Sequence, residues 1–511
     1  MSLTPPGLAQ GDLLAGWRVT AVEAAVDHLR VTLAQGDDAL TLGARPASGS
    51  RHRGPWDVAD AVVYHEATAL PFARFDAAGR SLARRVADAG GGSPGDMLSR
   101  WIRSLAPPLS ADAESTRTGP ERGPRADGSA PWQVIMRRAL TDRPGASVHL
   151  SAFFDELPPW PCVLPWTRLE LNEGGRFGPC CSEYQASAAG APPDADPVAL
   201  WNGPAMRAFR RAMVLDRHPE PCRRSCPVLH AGSDRAGDVV LRGGPQASVE
   251  AQVAAVEDIL AGREEMRAGP LSLVVSTTSY CNYDCLMCDC GERGTLDDER
   301  TDAFWFGVRA MLPGLRLLSA NGGEPLASPA FRRFLEGTDF APYPQLEVAL
   351  TTNGSYLTAR QLERLARVPF GHLTLSLNAA TPATYLAVNR GLPWERIREN
   401  LDEVVRRRAD GSLRASVSYS MVLLRSNVHE VDAFAALAER DGAEVRYLLP
   451  HRDRNHESIM TRRDAMESAR EALARVAEGL LRRGREREAR VVTGSARVLS
   501  DRLRRGVLTV L

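Results

Sequence analysis

The chain has 511 residues, and its 63 basic and 63 acidic side chains give a formal net charge of +0. All 63 basic residues are arginine, because the sequence contains no lysine. Without a lysine amine, the chain can neither form a Schiff base with pyridoxal phosphate nor complete a phosphate-binding loop of the Gly-Lys-Ser/Thr type. Balanced charge argues against a nucleic-acid binder, no apolar run is long enough to span a bilayer, and the first residues show no signal peptide. We therefore expect a cytoplasmic protein without nucleic-acid or membrane partners.

The length predicts several domains, because single hydrophobic cores stop growing at roughly 250–300 residues. Changes in composition and periodicity divide the chain into six segments. These are an N-terminal α+β domain, a linker, a small cysteine-rich domain, a connecting helix, an α/β core and a helical C-terminal segment, at residues 1–106, 107–131, 132–245, 246–268, 269–450 and 451–511.

The N-terminal domain begins with alternating apolar residues over 17–45, which predict three short strands. The turns are expected at Asp27-His28 and Gly36-Asp37, and helix-like sequence follows over 76–105. The domain is expected either to recognise a peptide by adding it to the sheet edge or simply to pack against the rest of the chain.

Strand-like apolar runs alternate with amphipathic helices from residue 270 onward. This alternation predicts a parallel sheet, curved or partly closed into a barrel, with its ligand at the carboxyl ends of the strands. Thr358 and Gln361 form a capping box, and another helix begins at Thr381-Pro382 and is closed by Gly391 after Arg390. The six runs are residues 271–277, 315–320, 346–351, 372–377, 416–424 and 444–449.

Two further helices are predicted because each has one apolar face. The first covers residues 248–262, and its apolar positions are Val249, Val253, Val256 and Leu260. The second lies in the C-terminal segment, and its apolar positions are Met466, Ala469, Leu473, Val476 and Leu480.

The first strand of the core leads into Cys281, Cys285 and Cys288, in the spacing C-x3-C-x2-C. Three thiolates on one loop suit an iron–sulfur cluster that keeps one iron open. Zinc is the alternative metal, although a structural zinc site prefers four closed tetrahedral ligands. Cys290 can act as a fourth ligand, and the cluster would then be closed.

This loop and the motifs after it resemble the radical S-adenosylmethionine (SAM) superfamily over residues 270–450. The second strand is followed by a G-G-E-P segment, the third ends in T-N-G, and the fourth ends in S-x-N. The resemblance implies a partial (β/α)6 TIM-like barrel that binds a 4Fe-4S cluster and SAM. The residues implied to bind SAM are Met287, Gly322, Gly323, Glu324, Pro325, Asn353, Ser376, Asn378 and Arg390.

The resemblance implies a role for several of these residues. The two glycines let the backbone approach the ligand, and the G-G-E-P segment receives the methionine amino group. The S-x-N side chains hold the ribose, Arg390 pairs with the methionine carboxylate, and Met287 stands where the family usually has an aromatic residue near the adenine. Each motif also has a purely structural alternative: a turn, a strand end or a cation at a helix C-terminus.

A second group of cysteines precedes the core and resembles a SPASM or "twitch" auxiliary-cluster domain. In most relatives this domain follows the SAM domain. The implied ligands of an auxiliary 4Fe-4S cluster are Cys162, Cys180, Cys181, Cys222 and Cys226, with Cys180 or Cys181 left spare, and a structural zinc site is the alternative. The other matching residues are Pro165, Trp166, Gly174, Trp201, Asn202 and Arg210.

The resemblance implies an enzyme in which a reduced cluster cleaves SAM and the resulting 5′-deoxyadenosyl radical removes a hydrogen atom from the substrate. The expected reaction is maturation of a peptide or protein by crosslinking, epimerisation or oxidation, with an external one-electron reductant of flavodoxin or ferredoxin type. The alternatives are a dehydrogenase acting on a small natural product and a non-enzymatic zinc-binding scaffold or regulator. His451 and His456, in the run HRDRNH, are predicted to lie on a solvated face.

Overall fold

The computed structural model describes twelve stretches of the chain and divides it into two compact units. The first unit contains residues 1–167, 202–243 and 249–268, and the second contains 168–201, 244–248 and 269–511. The described residues are 13–14, 17–24, 29–35, 38–46, 61–65, 70–71, 131–142, 144–149, 162–180, 190–215, 239–289 and 299–508.

Sixteen strands occur within these residues. They are β1 (Leu13–Leu14), β2 (Trp17–Ala24), β3 (Leu29–Gln35), β4 (Asp38–Pro46), β5 (Ala61–His65), β6 (Leu70–Pro71), β7 (Ser147–His149), β8 (Arg168–Leu171), β9 (Phe177–Gly178), β10 (Val240–Arg242), β11 (Ser272–Ser276), β12 (Leu317–Asn321), β13 (Glu347–Thr352), β14 (Phe370–Ser376), β15 (Ser416–Val422) and β16 (Glu444–Leu448).

Thirteen α-helices occur within the same residues. They are α1 (Pro131–Thr141), α2 (Leu164–Thr167), α3 (Pro197–Trp201), α4 (Pro204–Val214), α5 (Gln246–Ala261), α6 (Asp302–Met311), α7 (Pro329–Gly337), α8 (Ala359–Arg364), α9 (Pro382–Asn389), α10 (Trp394–Ala409), α11 (Val431–Arg440), α12 (Arg463–Arg482) and α13 (Glu486–Arg505).

The first unit begins with an antiparallel sheet whose six strands, β1 to β6, lie in sequence order. The three strands predicted over residues 17–45 are confirmed as β2, β3 and β4. Helix α5 confirms the predicted connecting helix, with Val249, Val253 and Val256 buried. Leu260 is only half-buried, because Ile259 takes the buried position beside it. The predicted turns and the helical sequence over 76–105 lie outside the described residues. So does the linker predicted over 107–131, except for Pro131, which begins α1.

The second unit contains a sheet of eight strands in the order β16-β15-β14-β13-β12-β11-β8-β9. Strands β11 to β16 are parallel and adjacent in sequence order, which confirms the six predicted core strands. Strands β8 and β9 were not expected there. β8 pairs in parallel with β11, and β9 returns antiparallel to β8. Residues predicted to belong to the cysteine-rich domain therefore extend the core sheet, although the domain boundaries themselves stay a prediction.

Strands β16 and β9 are the edges of this sheet among the described residues, so the sheet is an open, partial barrel. Helix α13 covers the free edge of β16 with side chains that bond to its backbone. Glu488 accepts from the N–H of Val445 at 2.6 Å, and Ser495 donates to the carbonyl of Tyr447 at 3.2 Å. Such cover protects an edge strand from pairing with another chain.

The helices between the core strands bury one apolar face each. Trp305 of α6 packs between Phe331 and Phe334 of α7, with ring centroids 4.9 and 4.8 Å apart. The predicted stripe of α12 is buried at every one of its five positions. No helix among the described residues is long and apolar enough to cross a membrane.

Two helix ends differ in detail from the predictions. Thr358 caps α8 by accepting from the N–H of Gln361, but the Gln361 side chain bonds to Glu336 and does not return to the cap. Helix α9 begins after Thr381 as predicted. The left-handed residue at its C-terminus is Arg390, with φ of 47°, whereas a glycine was expected there.

Arg300 ties the β8–β9 segment to the core sheet. It is 2% exposed, and its guanidinium donates to the carbonyls of Pro192 at 3.2 Å and Asn172 at 3.3 Å. Its own N–H donates to the carbonyl of Thr277, directly after β11, at 2.9 Å.

We expect Arg300→Met to lower the free energy of unfolding by about 1.5–3 kcal/mol, the range for hydrogen bonds from a charged donor. The variant should also speed hydrogen exchange over residues 168–178. The matched control is Arg333→Met, whose ion pair with Asp302 is exposed and should contribute less than about 1 kcal/mol. Equal effects of the two variants in urea unfolding would contradict the role given to Arg300.

Candidate functional site

The site begins where the pairing of β11 with β12 continues beyond the ends of the strands. The N–H of Thr277 donates to the carbonyl of Asn321 at 3.0 Å. Gly323 then donates to Thr278, and Glu324 donates to Tyr280, both at 2.8 Å. These bonds fix the backbone of the cysteine loop up to the residue before Cys281.

The two glycines of the G-G-E-P segment make this approach possible. A Cβ at Gly323 would lie 2.0 Å from the carbonyl oxygen of Tyr280, and one at Gly322 would lie 2.5 Å from that of Thr278. Gly322 also has φ of 119°, which L side chains rarely adopt. The close approach of a ligand to these glycines stays a prediction, and the structure shows that the protein's own cysteine loop also requires them.

Glu324 is fully buried and its carboxylate is occupied by protein donors. It accepts from the Thr352 hydroxyl at 2.8 and 2.9 Å, from the N–H of Asn353 at 2.9 Å and from the N–H of Leu326 at 3.1 Å. Burial raises its pKa to about 7, although these hydrogen bonds act in the opposite direction. Glu324 therefore joins the ends of β12 and β13.

Asn353, in the T-N-G loop after β13, reaches the cysteine loop. Its amide donates to Asn282 at 2.9 Å and lies 3.7 Å from the sulfur of Cys281. Asn282 donates in turn to the Ser355 hydroxyl at 3.0 Å. Asn282 and Ser355 were missed from the sequence, because isolated polar residues in loops carry no periodic signal.

The second half of the cysteine loop lies against the C-terminus of α9. The N–H of Leu286 donates to the carbonyl of Val388 at 2.8 Å, and the thiol of Cys285 donates to the carbonyl of Asn389 at 3.4 Å. Arg390 lies beside Asp284, with 3.8 Å between guanidinium and carboxylate, and its side chain is 48% exposed. The structure therefore places Arg390 beside the residue that precedes Cys285, and its pairing with the SAM carboxylate stays a prediction.

Gly391 is required by the packing of this half-loop. A Cβ at Gly391 would lie 2.3 Å from the ring of Tyr283. The buried hydroxyl of Tyr283 lies 3.0 Å from that of Tyr385 in α9, and burial raises its pKa to about 12. This pair was also missed from the sequence, because it joins residues that are 102 positions apart.

Ser376 is the last residue of β14 and Asn378 lies two residues beyond it, and their side chains contact different partners. The Asn378 side chain donates to Asn389 at 2.8 Å and accepts from the N–H of Val422 at 2.9 Å. Its φ of 59° ends the strand. Ser376 is half-buried, and its hydroxyl lies 3.5 Å from that of Ser420.

The two remaining predicted SAM contacts are Met287 and Pro325. Met287 is half-buried against an apolar cluster of Leu286, Val388 and Leu424. Pro325 is buried at the start of the 3₁₀ turn Pro325–Ala327 and presents no side chain to solvent.

The donor set of the loop fits an iron–sulfur cluster. Burial raises the pKa of Cys281 to about 11 and raises that of Cys285 further, so both are thiols without a metal. Metal binding must therefore release their protons. No three His, Cys, Asp or Glu side chains of the described residues converge on a single metal ion. That absence is compatible with a cluster, because its cysteines bind separate irons and stand further apart than ligands that share one ion.

The described part of the second cysteine group shows a hydrogen-bonded core in the first unit. Arg210 is fully buried and donates to the carbonyl of Pro165 at 2.8 Å and to Asn202 at 3.2 Å. Burial lowers its pKa to about 9. The indole of buried Trp166 donates to the carbonyl of Arg263 at 2.8 Å. Four of the residues that match the SPASM pattern therefore act as a structural framework.

The cysteines of this group are only partly described. Cys162 precedes α2 in the first unit, and Cys180 follows β9 in the second, both half-buried. The predicted hairpin is present as β8 and β9, joined by the turn Glu173–Gly175, in which Gly174 has φ of 68°. Trp201 ends α3, where a helix start was expected. Cys181, Cys222 and Cys226 lie outside the described residues, as does Cys290 of the first group.

Residues 275–438 match the family model of the radical SAM superfamily. This stretch contains the cysteine loop and the ends of β12, β13 and β14. Residues 275–438 form a radical SAM domain. The domain belongs to a superfamily of enzymes, which confirms the prediction of an enzyme and leaves its reaction open. The predicted cysteine-rich domain lies outside the match and stays a prediction.

Curated relatives match about a third of the chain. Mycofactocin maturase MftC of Mycobacterium tuberculosis (strain CDC 1551 / Oshkosh) is 30% identical over 191 residues, which cover 35% of this chain and 44% of that protein. AdoMet-dependent heme synthase of Methanosarcina barkeri is 29% identical over 196 residues, which cover 36% of this chain and 52% of that protein. The chain thus spans about half the length of these relatives.

A solved structure of Streptococcus suis SuiB bound to S-adenosylmethionine is similar over 54% of this chain and 63% of that one. The sequence identity is 14% and the TM-score is 0.35, which is too low to establish a common arrangement.

We expect Gly323→Ala to lower the free energy of unfolding by about 1–3 kcal/mol, because the added methyl group meets backbone that cannot move aside. Gly494→Ala is the matched control. A Cβ there meets nothing within 4 Å, and alanine in the middle of α13 should stabilise by about 0.5–1 kcal/mol. Urea unfolding measures both, and a Gly323→Ala variant as stable as the native chain would refute the close approach.

The raised pKa of Glu324 predicts a pH dependence of stability. The unfolded carboxyl ionises near the ordinary glutamate pKa of 4.5, whereas the folded one keeps its proton until about pH 7. The contribution of Glu324 to the free energy of unfolding is therefore largest below pH 4.5 and falls by about 2–4 kcal/mol as pH rises to 7, at 1.36 kcal/mol per pKa unit. The difference in unfolding free energy between the native chain and Glu324→Gln should carry this slope. A difference that is constant from pH 4.5 to 7 would contradict it.

Proposed function

We propose that this protein is a radical SAM enzyme that reductively cleaves SAM and modifies a peptide. The proposal rests chiefly on one observation. The loop with Cys281, Cys285 and Cys288 is bound to the G-G-E-P segment, the T-N-G loop and the end of α9, all at the carboxyl edge of the parallel sheet. Ligands of such sheets bind at that edge.

The cysteine residues would hold a 4Fe-4S cluster, and the half-loops around them would hold SAM. When bound, the cluster and SAM supply a 5′-deoxyadenosyl radical that removes a hydrogen atom from the substrate. Arg390 has the exposure and the planar donor pair to bind a carboxylate in place of its long contact with Asp284. The Ser376 hydroxyl suits a ribose hydroxyl, and Met287 offers polarizable surface to an adenine.

The contacts of Glu324 and Asn378 give them supporting roles in this proposal. Because the Glu324 carboxylate is filled by protein donors, the backbone carbonyls of Gly322 and Gly323 are the better acceptors for an ammonium group. The Asn378 side chain is bonded on both sides, so we assign it to shaping the strand end that presents Ser376.

A peptide is the substrate class that two observations favour. The relative mycofactocin maturase is by its name a maturase. One face of the core sheet is apolar. The opposite face carries hydroxyl side chains that are not fully buried, and they lie on strands whose carboxyl ends are at the same edge of the sheet as the cysteine loop: Ser319, Thr351, Thr374 and Ser376. Hydroxyl groups can bond to the amides of a peptide chain. Oxidation of a small natural product is the second candidate.

The second cysteine group is proposed to bind an auxiliary 4Fe-4S cluster through four of Cys162, Cys180, Cys181, Cys222 and Cys226. The framework around Arg210 supports a folded segment at this point of the chain. Zinc remains the competing metal there. A flavodoxin or ferredoxin is proposed as the external reductant, and a cytoplasmic location stays a prediction.

The experiment that tests the proposal is anaerobic reconstitution of the full chain, followed by iron and sulfide analysis and by reduction in the presence of SAM. We expect about eight irons per chain and release of 5′-deoxyadenosine, because two cubane clusters carry four irons each. The variant with Cys281, Cys285 and Cys288 changed to alanine should keep about four irons and release no 5′-deoxyadenosine.

A second variant separates the two sites. Changing Cys180, Cys181, Cys222 and Cys226 to alanine should leave about four irons and preserve cleavage of SAM. If the native chain contains zinc and only about four irons, those of the first site, the second cysteine group is a zinc site and not an auxiliary cluster. Absence of iron from the native chain would refute the enzyme proposal.

A further inference from the structure

The run HRDRNH, predicted to be a solvated face, contacts the cysteine loop. We call residues 451–458 the strap. His456 has a side chain that is 93% exposed, which agrees with the prediction for the histidines. Other side chains of the strap reach the loop: Arg452 and Arg454 pair with Asp289, and Asn455 donates to the carbonyl of Leu286 at 2.8 Å.

Asn455 holds the one polar backbone atom of Leu286 that the other contacts leave, its carbonyl oxygen. Leu286 lies between Cys285 and Cys288, and its side chain packs in a buried cluster with Val388 and Leu424. Its N–H donates to Val388, and its carbonyl accepts from Asn455. Side chain, N–H and carbonyl of this residue are therefore each held by a different contact.

The strap adopts a costly backbone conformation to make this contact. Asn455 and His456 are consecutive residues with φ of 56° and 57°. Left-handed backbone at a residue other than glycine is uncommon, and Asn and Asp tolerate it best. Such strain persists only where surrounding contacts hold it.

Contacts at the far end of the strap hold it in this conformation. Leu424, after β15, forms an antiparallel bridge with Ser458. The N–H of Arg425 donates to the carbonyl of Glu457 at 2.8 Å, and its guanidinium donates to the carbonyl of His456 at 3.0 Å. The strap is thus anchored to the same end of the sheet that carries the cysteine loop.

We infer that Asn455 is a positioning residue for the iron–sulfur cluster. Its side-chain amide fixes the backbone between Cys285 and Cys288 through the hydrogen bond to the carbonyl of Leu286. The spacing of these two sulfurs, and with it the stability and electronic environment of the cluster, depends on that bond. This inference rests on the proposed function, because it presupposes a cluster at these cysteines.

The test compares three variants of the anaerobically reconstituted full chain. Asn455→Gly keeps the left-handed backbone and removes the amide, and Asn455→Asp keeps a tolerant residue but places a carboxylate oxygen against the Leu286 carbonyl. His456→Gly is the matched control, because it relieves the neighbouring strained residue and leaves the loop contact intact. The readouts are the rate of iron removal by bathophenanthroline disulfonate and the EPR signal of the reduced cluster that changes on addition of SAM.

We expect iron removal from this cluster to become about three- to tenfold faster in Asn455→Gly. This factor corresponds to the free energy that one hydrogen bond to a neutral carbonyl contributes. Asn455→Asp should be faster still, and both should shift the SAM-sensitive EPR signal. His456→Gly should match the native chain in both readouts.

Native behaviour of both Asn455 variants would overturn the inference. So would an equal change in His456→Gly, since that outcome would assign the effect to backbone strain and not to the amide. A native chain that binds no iron would refute the proposed function itself, which is a separate result. If Asn455→Gly does not fold, Asn455→Asp still decides the question.

Discussion

The site depends on a backbone ladder that does not stop where its strands stop. Beyond β11 and β12, three further hydrogen bonds run from Thr277 to Glu324 and carry the chain to the residue before Cys281. Two glycines permit this close approach, since a Cβ at either would collide with backbone oxygens. The position of the first cysteine is thereby set by the sheet itself, and contacts with the C-terminus of α9 and with the strap place the other two.

Glu324 extends this order from two strands to three. Its carboxylate takes the hydroxyl of Thr352 and the N–H of Asn353, so the end of β13 is held at the end of β12. Asn353 is then able to reach both Cys281 and Asn282. Residues that a family pattern associates with a ligand thus divide into two kinds. The side chains of Glu324 and Asn378 are hydrogen-bonded to the protein, whereas the guanidinium of Arg390 and the hydroxyl of Ser376 are partly accessible to a ligand.

Sequence patterns predicted the six core strands and the order of their motifs, because buried parallel strands appear as short apolar runs with turn residues after them. They failed where a contact joins distant residues of ordinary polarity. The strap contacts the cysteine loop through residues 169 positions apart, and a run of arginine, asparagine and histidine has the composition of a solvated surface. Strand β8 has only four residues, so nothing in its pattern distinguishes a pairing with β11 from a local hairpin.

The pairing of β8 with β11 has a consequence that does not depend on the metal of the second cysteine group. β11 leads directly into the Cys281 loop, and Arg300 bonds both to Thr277 at its end and to Asn172 at the end of β8. A displacement of the β8–β9 segment therefore acts on the strand that places Cys281. Since Cys180 lies two residues beyond β9, any metal bound there would stabilise the same strand order. The segment before the core is in this respect part of the core.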